Sequence, residues 1–229
     1  VTSTAIGVVL GLLVGLRHSF EPDHLTAVST LVGEARGARS GALLGAVWGI
    51  GHTIALVAVG TVLMVIGATL PARAAAVFEL GVAAMLLVLG ARAIVAAVRT
   101  GAEHHHVHTE DSAQPAPHAG PPHIHVGVRT LAWRPLVVGL VHGLAGSGAL
   151  TAIVFADLPG AGARLLYMTL FGLGSIAGMA LASGAAGATL GVVARSGAAR
   201  RGLGVVTGLL SIAVGVLWAI PMWSQLASG

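Results

Sequence analysis

The sequence predicts an all-α membrane protein of six transmembrane helices, arranged as two inverted three-helix repeats. Three observations carry that reading. The 229 residues are 55% hydrophobic and only 9% charged, with mean hydropathy +0.91; an ordinary soluble domain carries about 25% charged residues. Apolar runs recur, each near or above the roughly 20 residues that a bilayer crossing demands. The two halves of the chain also repeat one another in order.

The runs place spans at residues 4–32, 40–69, 74–98, 134–157, 162–194 and 202–223. Between them fall Gly33 to Ser40, Pro71 and Arg73, a long polar segment, Pro159-Gly160, and Arg195 to Arg201. Two spans exceed the minimum length, which implies tilt, breaks or interfacial ends. The first run lacks a basic leading segment and has a polar centre, so it reads as a retained helix rather than a signal peptide. The resulting organisation is a first repeat over 1–98, a disordered loop over 99–133, and a second repeat over 134–229.

The net charge of +4 is carried by arginine, since the chain has no lysine. Arg36, Arg39, Arg99, Arg129, Arg134, Arg195, Arg200 and Arg201 sit in loops one, three and five. Only Arg73 and Arg164 sit in the other two. The positive-inside bias puts the richer loops in the cytoplasm and both termini outside, as in a multi-pass protein of the cell (inner) membrane. Basicity of this kind fixes topology and implies no nucleic-acid partner. With no cysteine, disulfides and thiolate metal sites are excluded. The five methionines are scattered, which argues against a Met-lined copper(I) path.

The repeat is legible as two matched pairs. Val14-Gly15-Leu16-Arg17-His18, then Leu25-Thr26-Ala27-Val28, corresponds to Val138-Gly139-Leu140-Val141-His142, then Leu150-Thr151-Ala152-Ile153, with one inserted residue. Trp48-Gly49-Ile50-Gly51-His52 corresponds to Phe171-Gly172-Leu173-Gly174-Ser175. Three spans per half make the copies inverted, a common transporter plan with its site near the midplane. Gly7, Gly11 and Gly15, and likewise Gly41, Gly45 and Gly49, form small-residue stripes that let helices approach closely.

The chemistry concentrates in Arg17-His18-Ser19-Phe20-Glu21-Pro22-Asp23-His24. Ionisable groups in mid-span are expensive unless paired, hydrated or bound to something. His18, Asp23 and His24 offer two imidazoles and a carboxylate, a set suited to nickel, cobalt, zinc, manganese or iron(II). On an unbroken helix these positions do not share a face. Pro22 removes the hydrogen bond to the His18 carbonyl, so a break there is expected to gather the side chains and free that carbonyl as another ligand. Arg17 and Glu21 are spaced to neutralise one another. His52 and His142 lie at matching depth in the second and fourth spans and are expected to join the site, His142 as ligand or gate. Glu21, Thr53, Ser147 and Ser175 are secondary candidates, and Glu79 is a candidate entrance residue. The competing readings are a helix end with an interfacial polar cluster, and a proton relay without metal.

The central loop holds His104, His105, His106, His108, His118, His123 and His125, seven of the 11 histidines, among Pro, Gly and acidic residues. Such tracts stay disordered and bind divalent metals loosely. A loop of this kind fits collection, buffering or sensing of metal, and exchange with a cytoplasmic metallochaperone.

Arg17-His18-Ser19-Phe20-Glu21-Pro22-Asp23-His24-Leu25 resembles the signature of the nickel/cobalt transporter (NiCoT) family. That signature contains His, four residues, Asp and His in a membrane helix. Gly51-His52-Thr53 resembles the same family's second motif. His142-Gly143-Leu144-Ala145-Gly146-Ser147 is more similar to the shorter urease-accessory type of nickel permease, and the His-rich loop to that of nickel/cobalt efflux proteins. The chain departs from the usual wording at Ser19, Glu21 and Pro22, and has six expected spans where larger members have eight. The resemblance implies transport of Ni2+ or Co2+, as substrate rather than cofactor; the inverted repeat and the clustered residues lead to the expectation of alternating access at His18, Asp23, His24, His52 and His142. The chain is not expected to be an enzyme: it has neither a His-Glu-x-x-His metalloprotease motif nor a phosphate-binding Gly-Lys-Ser/Thr motif. A metal-binding accessory or sensor subunit, and an anion or amino-acid exporter, are the alternative functions.

Overall fold

The structure, a computed structural model, describes residues 2–32, 37–99, 133–146, 158, 160–193 and 196–227. Among them all regular structure is helical: α1 (Thr2–His18), α2 (Pro22–Leu31), α3 (Ala38–Ile66), α4 (Ala72–Arg99), α5 (helical over 133–146), α6 (Ala161–Val193) and α7 (Gly197–Ala227). Four of these, α3, α4, α6 and α7, are long and apolar enough to cross a membrane by length and composition. The described residues thus form the all-helical body of a membrane protein.

Four such helices, not six, are found among the described residues. The expected first span is interrupted after His18 and continues as the ten-residue α2. The expected fourth span, 134–157, is described only as far as 146, and the His-rich loop lies outside the described residues. The interruption has a local cause. Pro22 has no N–H, so it fits the first turn of a new helix better than the interior of an old one. Glu21, with extended backbone at φ −66° and ψ 151°, caps α2. The His18 carbonyl is not freed by the break. It accepts the Glu21 N–H at 3.0 Å, just as the Arg17 carbonyl accepts Phe20 N–H at 3.0 Å.

Many large apolar side chains face outward, while glycines and polar groups gather inside beside a few large apolar ones such as Leu56 and Leu86, the arrangement of a bundle solvated by lipid. On α7, Leu209, Leu217, Ile220 and Trp223 are exposed while Gly208, Ser211 and Gly215 are buried. The Ser211 hydroxyl donates to the Leu86 carbonyl on α4 at 2.8 Å.

Glycine contacts set the direction of each helix relative to its neighbours. On α1, Gly11 lies against Tyr167 and Gly15 against Phe171, so α1 and α6 run the same way. Gly139 lies against Trp48 and Gly143 against His52, so α5 and α3 also run the same way. Gly41, Gly45 and Gly49 meet Ser183, Met179 and Ile176 in turn, so α3 and α6 are antiparallel. It follows that α1 and α5 oppose one another. Gly204 beside Ala97 and Gly215 beside Ala83 make α4 and α7 antiparallel too.

The approach is closest at Gly15 and Gly139, where a Cβ would overlap the Phe171 and Trp48 carbonyls respectively. Any larger residue there forces two helices apart. A reciprocal pair joins the same helices: Gly51 meets Leu136 and Leu140, and Gly174 meets Leu12 and Leu16.

Candidate metal centre

The break after His18 turns the chain so that α2 begins beside the end of α1, and Asp23 and His24 face inward on the first turn of α2. His52 comes from the middle of α3 and His142 from α5. All are buried, with exposures of 7% for Asp23, 1% for His24, 0% for His52 and 2% for His142. The His18 side chain is slightly more open at 16%.

Ring centroids lie 4.5 Å apart for His18 and His24, 5.4 Å for His18 and His52, 5.4 Å for His24 and His52, and 4.1 Å for His24 and His142. The structure therefore gathers all five principal residues expected from the sequence. Trp48 packs on His24 and His142 at 5.5 and 5.7 Å, and Phe171 on His18 at 5.3 Å. These two aromatic rings tie the polar centre into the apolar clusters on either side of it.

Carboxylates hold three of the four rings. Glu21 Oε2 is 3.0 Å from His18 Nδ1, Asp23 Oδ1 is 3.1 Å from His24 Nδ1, and Asp23 Oδ2 is 2.7 Å from His142 Nε2. An ionised carboxylate only accepts, so each held nitrogen carries the proton in the neutral ring. The opposite nitrogens, His18 Nε2, His24 Nε2 and His142 Nδ1, then present lone pairs. These atoms, with both nitrogens of His52 and Trp48 Nε1, are buried without a hydrogen-bond partner. Leaving one such group unsatisfied costs about 1–3 kcal/mol. The lone pairs of His18, His24, His142 and one nitrogen of His52, gathered in one place, call for a ligand that accepts electron pairs, whereas Trp48 Nε1–H and the other His52 nitrogen are donors. A carboxylate behind an imidazole is the usual way to orient a metal ligand and raise its basicity.

Among the described residues, two groups of donors are close enough to hold an ion. One atom each from His18, His24 and His52 lie within 4.8 Å of one another, and so do one atom each from Asp23, His24 and His142.

The secondary candidates divide. Glu21 pairs with His18, not with Arg17 as its spacing suggested. Thr53 donates to the Gly172 carbonyl at 3.1 Å, and Ser175 to the Gly15 carbonyl at 3.2 Å, so both hydroxyls tie helices together. Ser19, whose hydroxyl lies 2.9 Å from the Ser175 carbonyl, completes that last contact. Glu79 accepts Trp218 Nε1–H at 2.7 Å, between α4 and α7. Ser147 and the loop histidines lie outside the described residues. The role of Trp48 beside two of the imidazoles was not read from the sequence; its place four residues before His52, one helical turn away, was the available signal.

This combination defines a class: an all-helical membrane protein built around a buried imidazole–carboxylate centre, a candidate metal site. Within it, the chain is similar to the urease accessory protein UreH of Bacillus sp. (strain TB-90), with 29% identity over 210 residues, 90% of this chain and 87% of that protein. That likeness bears out the resemblance to the urease-accessory type within the nickel/cobalt transporter family. No family model matches the chain, and no solved structure matches it.

Proposed function

We propose that this chain is a membrane transporter of a divalent transition-metal ion, nickel or cobalt, working by alternating access to the central site. One observation carries the reading: buried imidazole nitrogens with no partner, backed by the carboxylates of Glu21 and Asp23. Three imidazoles suit nickel, cobalt and zinc; the motif resemblance and the likeness to a urease accessory protein favour nickel. The unpartnered imidazole lone pairs outnumber the unpartnered N–H donors of this centre, which favours a cation over the anion of the exporter alternative. In the transport cycle the ion exchanges waters for His18, His24 and His52, Asp23 and Glu21 orient the rings, and His142 joins the centre from the second repeat.

Inverted duplication supplies the symmetry that alternating access needs. It is supported by reciprocal contacts between the matched segments. Gly15 meets Phe171 where Gly139 meets Trp48, and Gly51 meets Leu136 where Gly174 meets Leu12. Each matched pair of helices, α1 with α5, α3 with α6 and α4 with α7, runs in opposite directions. The arginine bias supports a cytoplasmic His-rich loop whose histidines act as metal collectors.

The test is radiometal flux in proteoliposomes containing the purified chain alone. Metal-dependent flux that is lost in His18→Ala, His24→Ala and His52→Ala is the expected result; wild-type flux in all three would overturn the assignment. A second reading, a metal-binding accessory subunit that does not itself carry, is favoured by the description of the relative as an accessory protein. Tight metal binding with no flux by the chain alone would select it.

A further inference from the structure

We infer that the centre holds its cation at two overlapping positions that share His24, with His142 a ligand only in the second. The inference rests on the reading of the chain as a divalent-metal carrier. The first position is the triad His18, His24 and His52, and the second is Asp23, His24 and His142. His24 is the one residue common to both. The triads differ in origin: α1, α2 and α3 supply the first, whereas the second draws on α5.

They differ in chemistry as well. Three neutral imidazoles leave a dication its full charge, while Asp23 neutralises part of it. One cation occupies the centre at a time, because the positions share a ring and two dications so close repel one another.

The exchange balances without net gain or loss of protons. In the second triad the N–H groups of His24 Nδ1 and His142 Nε2 donate to the two oxygens of Asp23, at 3.1 and 2.7 Å. A cation on Asp23 replaces those bonds, and each ring keeps its proton by carrying it on the other nitrogen. Those nitrogens, His24 Nε2 and His142 Nδ1, are buried and unpartnered. The cation gives up His18 and His52 and gains Asp23 and His142. The tautomer of His24 therefore records which position is filled.

The experiment is a Co2+ titration of the purified full chain in lipid nanodiscs. Visible absorption reports the ligand set, and size-exclusion chromatography and circular dichroism check folding. Wild type, His52→Ala, His142→Ala and the double variant are compared, with His→Gln versions standing in for any that misfold. His52→Ala is expected to keep binding Co2+ through the second position, at least about 100-fold more weakly than wild type, with a changed absorption band. The double variant is expected to lose at least a further tenfold. His142→Ala alone should keep the wild-type band and lose flux. Equal Co2+ affinity in His52→Ala and the double variant, or no binding at all in His52→Ala, overturns the second position. Absence of Co2+ binding by wild type would instead overturn the reading of the chain as a metal carrier.

Discussion

Asp23 Oδ2 and His142 Nε2 stand 2.7 Å apart, joining the first turn of α2 to a helix from the other half of the chain. The same carboxylate holds His24 through its second oxygen at 3.1 Å. One buried acid thus fixes the tautomer and tilt of two rings, and its removal should be felt by both.

Asp23→Asn keeps the shape and removes the charge. The loss of an orienting carboxylate typically lowers metal affinity 10–100-fold, and that range is expected for Ni2+ or Co2+ binding measured by isothermal titration. Glu21→Gln, which releases only His18, should fall at the mild end. Unchanged affinity in Asp23→Asn would remove the carboxylate from the site.

Replacing any one of the three rings in the His18, His24 and His52 group should be more severe. Each alanine variant is expected to bind Ni2+ at least about 100-fold more weakly, because a ligand is lost outright. The measurement is a competition titration against a metal indicator, and near-wild-type binding in any one of them would exclude that ring.

Binding should also weaken with acid. A neutral imidazole ligates and a protonated one does not. Protons therefore compete with the cation for the same lone pairs, and affinity measured by titration should fall as the pH is lowered. Affinity that stays constant down to the acid limit of the folded state would be inconsistent with imidazole ligands.

Gly143→Ala tests the packing that positions His142. The added methyl overlaps the His52 carbonyl, and such overpacking costs about 1–3 kcal/mol. A lower melting temperature in detergent, together with weaker metal binding, is expected. Trp218→Phe offers the contrast. It deletes the bond to Glu79, worth about 0.5–1.5 kcal/mol, and should lower the melting temperature slightly with no change in metal affinity.

The site was more legible in the sequence than the fold around it. Charged and imidazole side chains amid apolar runs are too costly to be incidental, which singled out His18, Asp23, His24, His52 and His142. Pro22 foretold the break, because its missing N–H is a local property. What the break does with its carbonyls was not foreseeable. The tight turn gives the His18 oxygen to Glu21, and the Glu21 side chain bends back to His18 instead of reaching Arg17. Hydropathy also marks apolar length without showing where helices stop, so the run 4–32 read as one span where the chain forms α1 and α2. The roles of Thr53 and Ser175 depended on which carbonyl a neighbouring helix presents, and no spacing within one strand of sequence encodes that.

The glycine contacts have a mechanical consequence. Because α1 lies backbone to backbone on α6, and α5 on α3, each half of the chain is bolted to the other through its first helix. Sliding along those joints would drive carbonyls into Cα atoms, so α1, α3, α5 and α6 form a stiff frame. The α4–α7 pair is likewise joined closely at Gly90 and Gly208, and short α2 lies against α4, α6 and α7. Asp23 and His24 ride on α2. The turn at Ser19 to Glu21 is fastened to that frame through the Ser19 hydroxyl, so the ten-residue α2 presents its two polar side chains from a fixed anchor.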